Sequence, residues 1–364
     1  MSCDGEYKSD VETPSLCLDL NRFEENLEKL QALLPSAGKS WRPQVAYHGT
    51  SQLAAAQLQA GAVGLTCGSV AEAEYFASCG FHDLLVTQSP VGSQRIRRIA
   101  ALCGTTRLLV TCDHYVQAQS LSEECARQGV TCRVLVELNL GSERAGVRPG
   151  RDAIELGKGI ARLPNLQLCG ITGCESSSPR ESDLLLESGQ VGAALGVLAH
   201  ARHMFVKNDL RCDTVSTSGT GAFHRVLASP AVTEIQAGNL VLGTERIFDG
   251  GKPEPLERAL SLLATVVGRP SFERAVLDVG RTAMGVGSGL PVLRRGADAR
   301  VLCVNSDHLV VALGPVSAEW RIGDRVELEV DVPPLTTPLH RQILCFRGER
   351  LEEVWPIHRH GNLI

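Results

Sequence analysis

A chain of 364 residues, 43% of them hydrophobic, can bury more apolar surface than one ordinary core holds, so two domains are expected. A formal net charge of −5 offers no basic field to a phosphate backbone or an anionic bilayer, which argues against nucleic acid and membrane partners. No run reaches the roughly 18 apolar residues of a membrane span, and the opening Met1-Ser-Cys-Asp-Gly-Glu-Tyr-Lys8 lacks the basic-then-apolar build of a signal peptide. The 13 cysteines are odd in number and scattered without a C-x-x-C, the pattern of small buried hydrophobes in a reducing, cytoplasmic compartment.

Residues 1–12 are polar and are expected to fray. Thr13–Leu20 alternates apolar and polar residues and reads as a strand. Asn21 then caps a helix over Arg22–Leu34 with Phe23, Leu27, Leu30 and Leu34 on one face, and Pro35 ends it.

From here an apolar run followed by a helical segment recurs eight times. The runs are Arg42–Tyr47, Ala62–Cys67, Leu84–Gln88, Arg107–Asp113, Arg133–Asn139, Gln167–Gly173, Thr214–Ser218 and Glu234–Gly238. Between them, Gln52–Ala60, Val70–Cys79, Gly92–Cys103, His114–Gln128, Arg151–Arg162 and Ser188–Val206 carry helical spacing. Apolar strands alternating with helices make a parallel sheet, and eight such units close into a (β/α)8 TIM barrel, a mixed α/β fold. A doubly wound open sheet is the alternative, but no glycine-rich dinucleotide turn follows an early strand. After Pro253 the runs shorten to period two: Leu256–Val267, Arg274–Val279, Ala299–Val304, His308–Leu313, Arg325–Val330 and Arg341–Phe346. The expected organisation is a barrel over 21–252 and an antiparallel β domain over 253–364, joined by 13–20.

Active sites of such barrels lie at the C-terminal strand ends. That rule gathers Ala46, Tyr47 and His48 from the first run, Cys67 from the second and Gln88 from the third. The later runs supply Asp113 and His114, Glu137, Asn139 and Arg144, then Cys174 and Glu175, then Ser216–Gly221, and finally Gln236, Gly238 and Asn239. Ser218, Gly219, Thr220 and Gly221 are small hydroxyl and glycine residues whose backbone N–H groups can hold an anion, and Gly238 and Asn239 offer a second set. A glycine-rich turn without a ligand explains the same residues. Cys67 and Cys174 have no basic neighbour in sequence to make them nucleophiles. His48, His114 and His224 share no ligand spacing, so a metal is not expected.

Several stretches together resemble the D-threonine aldolase and D-serine dehydratase family, pyridoxal-phosphate (PLP) lyases of the alanine-racemase fold type. They are Thr13–Leu20, Arg42-Pro43, Gly61–Cys67 with Ala71–Glu74, Val134–Asn139 with Arg144–Val147, Thr233–Gly238 and Trp355-Pro356. The resemblance implies an N-terminal PLP barrel, a C-terminal β domain and a homodimer. It also implies a lysine in an imine with the cofactor near the first strand end, in a pattern of the type Arg-Pro-His-x-Lys-Thr-His-Lys. Here the stretch reads Arg42-Pro43-Gln44-Val45-Ala46-Tyr47-His48-Gly49, which puts Ala46 at the lysine's place.

Only six lysines exist: Lys8, Lys29, Lys39, Lys158, Lys207 and Lys252. Lys39 lies roughly 20 Å from Ala46 along an extended chain. The tyrosine implied after the sixth strand is Cys174, that after the eighth is Leu240, and Val332–Leu339 lacks the histidine and cysteine that would hold a metal. Arg144, Thr220 and Gly221 keep family positions. The expectation is a divergent member that binds a small, phosphorylated or carboxylated anion, with PLP bound non-covalently if at all. Altered chemistry through His48, Tyr47, Asp113 or Cys174 is the second reading, and retained cleavage of D-β-hydroxy amino acids the third.

Overall fold

The computed structural model describes residues 6–174, 184–218, 223–243, 256–287, 289–294 and 298–358. Strand β1 (Ser15–Asp19) leads into helix α1 (Leu20–Ser36), whose N-cap is Asp19, its carboxylate accepting from Arg22 N–H at 3.2 Å. The helix thus begins before Asn21, and Pro35 sits within its last turn.

Eight parallel barrel strands appear, seven of them overlapping the expected runs and the first, at Ser40–Trp41, just before its run Arg42–Tyr47. Strands β2 (Ser40–Trp41), β3 (Leu65–Cys67), β4 (Asp83–Val86), β5 (Arg107–Cys112), β6 (Cys132–Glu137), β7 (Leu166–Gly173), β8 (Thr214–Thr217) and β9 (Glu234–Ile235) form one parallel sheet in the order β2-β9-β8-β7-β6-β5-β4-β3. Its ends meet where Gln44 bridges Thr66 in parallel, Thr66 N–H donating to Pro43 O at 2.9 Å, which curls the sheet into a barrel. Helices α2 (Ser51–Gln59), α3 (Val70–Ser78), α4 (Ser93–Cys103), α5 (Tyr115–Gln128), α6 (Arg151–Arg162), α7 (Leu184–Lys207) and α8 (Phe223–Ala228) connect the strands.

Because side chains alternate along a strand, Leu84, Val86, Leu108, Val110, Val134 and Val136 join the large core with the helices, while Leu85, Leu109, Leu135 and Cys169 make a separate cluster inside the barrel. Below that cluster the barrel floor is ionic. Buried Arg42 donates through Nε to Glu234 Oε2 at 2.9 Å and through Nη1 to Asp83 Oδ1 at 2.7 Å. Above it lies a polar layer in which Gln236 Nε2 donates to Ser216 Oγ at 2.9 Å and Thr172 Oγ1 at 3.3 Å.

The second sheet contains β10 (Leu260–Ser271), β11 (Arg274–Leu277), β12 (Arg300–Val304), β13 (Leu309–Ala312), β14 (Arg325–Glu329), β15 (Gln342–Arg347) and β16 (Arg350–Pro356). A short helix, α9 (Pro333–Thr336), lies between β14 and β15. Strand β1 joins this sheet between β10 and β15, and its pairing with β15 is parallel, so the sheet is not wholly antiparallel. The N-terminal residues that composition marked as frayed are pinned from Glu6 onward: Leu351 N–H donates to Glu6 O at 2.9 Å, and Lys8 pairs with Glu327 at 2.9 Å.

Candidate ligand site at the barrel mouth

The first expected run, Arg42–Tyr47, is not itself a strand: β2 ends at Trp41. Arg42 and Gln44 N–H groups still donate to Ile235 and Gln236 carbonyls, each at 2.9 Å, but Val45–Tyr47 then winds into a single 3-10 turn. Pro43 has no N–H to extend the pairing, and Gly49, at φ 63°, completes the reversal into α2. Ala46 and Tyr47 are half-buried on this turn. Tyr47 packs against the core, and its carbonyl accepts from Thr337 Oγ1 at 3.0 Å.

His48 is fully buried. Its Nδ1 accepts from Thr50 N–H at 3.2 Å, which assigns the ring proton to Nε2. Burial pushes its pKa down to about 3. A neutral ring with no exposed surface is not placed to exchange protons with a ligand at the mouth. Cys67 is equally buried, and desolvation followed by the Glu72 carboxylate holds its thiol protonated.

An exposed, charged part of the mouth follows β6. Asn139 Oδ1 accepts from Gly141 N–H at 2.9 Å, turning the chain, and Val147 N–H returns to Glu137 O at 2.8 Å. Asp113, beyond β5, clasps this loop: its Oδ2 accepts from Gly146 N–H at 2.9 Å and its Oδ1 from Gln117 Nε2 at 2.6 Å. Gly146 permits the clasp, because at φ 101° a Cβ would lie 2.3 Å from Asn139 N.

The loop presents Arg144 to solvent with no hydrogen bond or ion pair among the described residues. Beneath it, burial raises the pKa of Glu137 and the charge of Asp113 adds to the rise, while Thr111 and Arg144 oppose them. The strand ends thus bring Asp113, Glu137 and Arg144 together. Sequence position put Glu137 at the mouth without a role; its inward place on the period-two pattern was the available signal.

Across the mouth, Cys174 Sγ approaches Ser218 Oγ at 3.8 Å, joining two sequence candidates. Gly219, Thr220, Gly221 and Glu175 lie outside the described residues. Gly238 has a packing role: a Cβ there would stand 2.0 Å from Gln44 O, so glycine lets the first and last barrel strands approach. Asn239 beside it is buried.

Comparison with known proteins agrees with this architecture. Residues 18–246 match the family described as "Alanine racemase, N-terminal domain", and residues 259–346 match "Putative serine dehydratase domain". The chain belongs to the alanine racemase N-terminal domain family. Within that family its relatives are D-threonine aldolases and hydroxyaspartate lyases. It is 27% identical to a D-threonine aldolase of an Arthrobacter species over 98% of this chain and 95% of the relative. It is 28% identical to a 3-hydroxy-D-aspartate aldolase of Paracoccus denitrificans over 98% and 94%. Among solved structures, D-threonine aldolase from Filomicrobium marinum superposes with a TM-score of 0.92 at 28% identity, covering 98% of this chain and 97% of that one. The D-threo-3-hydroxyaspartate dehydratase of Delftia sp. HT23, at 23% identity and a TM-score of 0.81, shares the fold.

The described lysines of this alanine-racemase-family chain are occupied away from the mouth or carried on helices. Lys39 Nζ donates to Ser229 O at 2.6 Å and Val232 O at 2.7 Å, just before β9 begins and so at the opposite end of the barrel. Lys8 pairs with Glu327, Lys158 bonds Glu155 on α6, Lys29 lies on α1 and Lys207 ends α7. Lys252 lies outside the described residues. The segment in which the sequence lacks histidine and cysteine is used for packing: Thr336 and Thr337 are buried, and Thr336 Oγ1 accepts from Gly285 N–H at 3.2 Å. No described helix is long and apolar enough to cross a membrane.

Proposed function

We propose that this protein binds a small anionic ligand, phosphorylated or carboxylated, at the barrel mouth and has lost the covalent PLP chemistry of its family. Ala46 on the turn after the first barrel strand is the observation that carries the reading. A methyl group cannot form an imine, and each described lysine lies elsewhere. The residues therefore do not fit a lysine-bound cofactor. They do fit an anion, since Arg144 is exposed with no hydrogen bond or ion pair among the described residues, and Ser218 opens the run of small residues 218–221 in the sequence.

In this reading Arg144 attracts the ligand and Ser218, Gly219, Thr220 and Gly221 supply donors around its anionic group, with Gly238 and Asn239 completing the cup. PLP is one such anion and would be held without a covalent bond. The same reading takes the protein to be cytoplasmic and a homodimer, and light scattering tests the assembly.

Incubation with PLP should give no absorbance band near about 410–430 nm and no borohydride-trapped adduct. A trapped adduct on the native protein sinks the proposal. Ala46→Lys should gain the band if the rest of the cup accepts the cofactor, and Arg144→Ala should weaken binding of inorganic phosphate and PLP measured by calorimetry. Unchanged binding in Arg144→Ala would remove the mouth from the account.

A second reading, altered catalysis on a D-β-hydroxy amino acid or another small molecule in the same mouth, is favoured by one observation. Glu137 is a carboxyl group held above its usual range by burial and by Asp113, as an acid–base residue requires. Turnover that disappears in Glu137→Gln but persists in His48→Asn would establish it over the binding reading.

A further inference from the structure

A cavity of about 590 Å³ opens on the β domain, and every residue that lines it follows β10 in the chain, so it shares nothing with the barrel mouth. Strands β10 and β11 meet through the two-residue turn Phe272-Glu273, since Ser271 pairs with Arg274. Ala312 of β13 pairs with Arg274 on one side and with Arg300 of β12 on the other. Directly paired residues share a sheet face, so two arginines stand on one face with a single methyl group between them. Their Cα atoms are about 10 Å apart, two strand spacings, and Ala312 leaves the space between the guanidinium groups open.

Both arginines are exposed, and neither has a side-chain hydrogen bond or ion pair among the described residues. Arg269 and Asp298 are instead spent on the walls. Arg269 donates through Nε to Arg274 O at 3.2 Å, through Nη2 to Phe272 O at 3.0 Å, and through Nη1 to Ala318 O at 3.3 Å and to Trp320 O, which staples the hairpin to the turn after β13. Asp298 braces the same turn: its Oδ2 accepts from Val316 N–H at 2.5 Å and from Ser317 N–H at 3.2 Å. Leu313 N–H donates to Glu273 O at 2.9 Å, closing the hairpin onto the end of β13. The walls are thus fixed before a ligand arrives, which lowers the ordering cost of binding.

Two further features bear on what the cavity takes. Phe272 is 94% exposed at the rim, an aromatic face left in water beside two cations. Glu273 brings a carboxylate to the same opening, and an ionised carboxylate only accepts hydrogen bonds.

We propose that this cavity binds a nucleoside monophosphate, with the phosphate between Arg274 and Arg300, the base on the Phe272 ring and the ribose hydroxyls donating to Glu273. A phosphate dianion offers acceptors to two guanidinium forks and balances both charges. A base stacks on an aromatic side chain whatever its edge pattern, and a carboxylate is a fitting acceptor for ribose hydroxyls. A cavity of this volume suits a ligand of nucleotide dimensions. Inorganic phosphate or an acidic amino acid would satisfy the arginines and leave Phe272 in water.

Calorimetric titration of the full-length protein with adenosine monophosphate tests the assignment, with inorganic phosphate titrated separately. One site per chain is expected, weakened roughly tenfold or more by Arg274→Ala or Arg300→Ala, roughly fivefold by Phe272→Ala and not at all by Arg144→Ala. The three altered cavity side chains are exposed, so unchanged melting temperatures separate lost binding from lost folding. No binding up to millimolar nucleotide, or equal binding in wild type and both arginine variants, overturns the cavity as a site. Loss in Arg144→Ala alone places the nucleotide at the barrel mouth, which overturns this proposal and leaves the mouth proposal standing. Inorganic phosphate bound as tightly as the nucleotide, with no effect of Phe272→Ala, overturns the nucleoside assignment and leaves an adventitious ion only.

Discussion

Replacement of His48 by asparagine should remove a specific part of the protein's acid sensitivity. The folded ring has its pKa pushed down to about 3 by burial, against an ordinary value of 6.5. A depressed folded value means that the unfolded chain takes up a proton first, so stability is intact above pH 6.5 and is lost as pH falls toward 3. Each pH unit in that window costs about 1.4 kcal/mol, so the ring removes about 2 kcal/mol between pH 7 and 5 and about 5 kcal/mol by pH 3. Asparagine Oδ1 can accept the Thr50 N–H in place of Nδ1, and it has no proton to gain. Urea unfolding followed by fluorescence of the 3 tryptophans at pH 7 and 5 measures the difference. His224 and His358, whose pKa values burial also lowers, act equally in both proteins and cancel. Wild type should lose about 2 kcal/mol more than His48→Asn. Parallel losses in the two proteins would refute the burial argument and return His48 to the list of candidate acid–base groups.

Other expectations follow from the barrel. Arg42→Met leaves Glu234 without its buried counter-charge and Asp83 short of its closest one, so a loss of about 3–5 kcal/mol is expected in urea titrations; a change below 1 kcal/mol, about the scale of a surface pair, would show the floor to be dispensable. Gly238→Ala drives a methyl group into Gln44 O and should cost several-fold in soluble yield and lower the melting temperature, whereas Gly80→Ala, where a Cβ meets open space but φ is 90°, tests backbone strain alone. Glu137→Gln should stabilise the protein at neutral pH. The folded pKa of Glu137 is raised, so its contribution is complete below pH 4.5 and declines as pH rises through the folded value. Equal melting temperatures for wild type and Glu137→Gln across pH 4–8 would contradict the desolvation of this carboxyl.

Local pattern determined a good deal by itself. Seven of the eight apolar runs fall on β3–β9 because strand period and side-chain type are written along the chain, and Arg151–Arg162 coincides with α6 because its apolar spacing has no competing signal. The family was legible in motifs at strand ends. The same local reading extended the first strand through Tyr47, ended α1 at Pro35 and missed the pairing of Glu6 with Leu351, since each depends on what lies opposite.

Tertiary structure decided the rest. His48 and Arg144 look alike in sequence as polar residues at strand ends, yet one is sealed against α2 and the other stands in solvent, because burial is set by elements that arrive from elsewhere in the chain. Gly238 gains its purpose only when Gln44 is brought against it, and Arg42 only when Glu234 and Asp83 converge beneath the barrel. The sequence specifies side-chain chemistry and period; proximity and dielectric environment exist only once the chain has closed on itself.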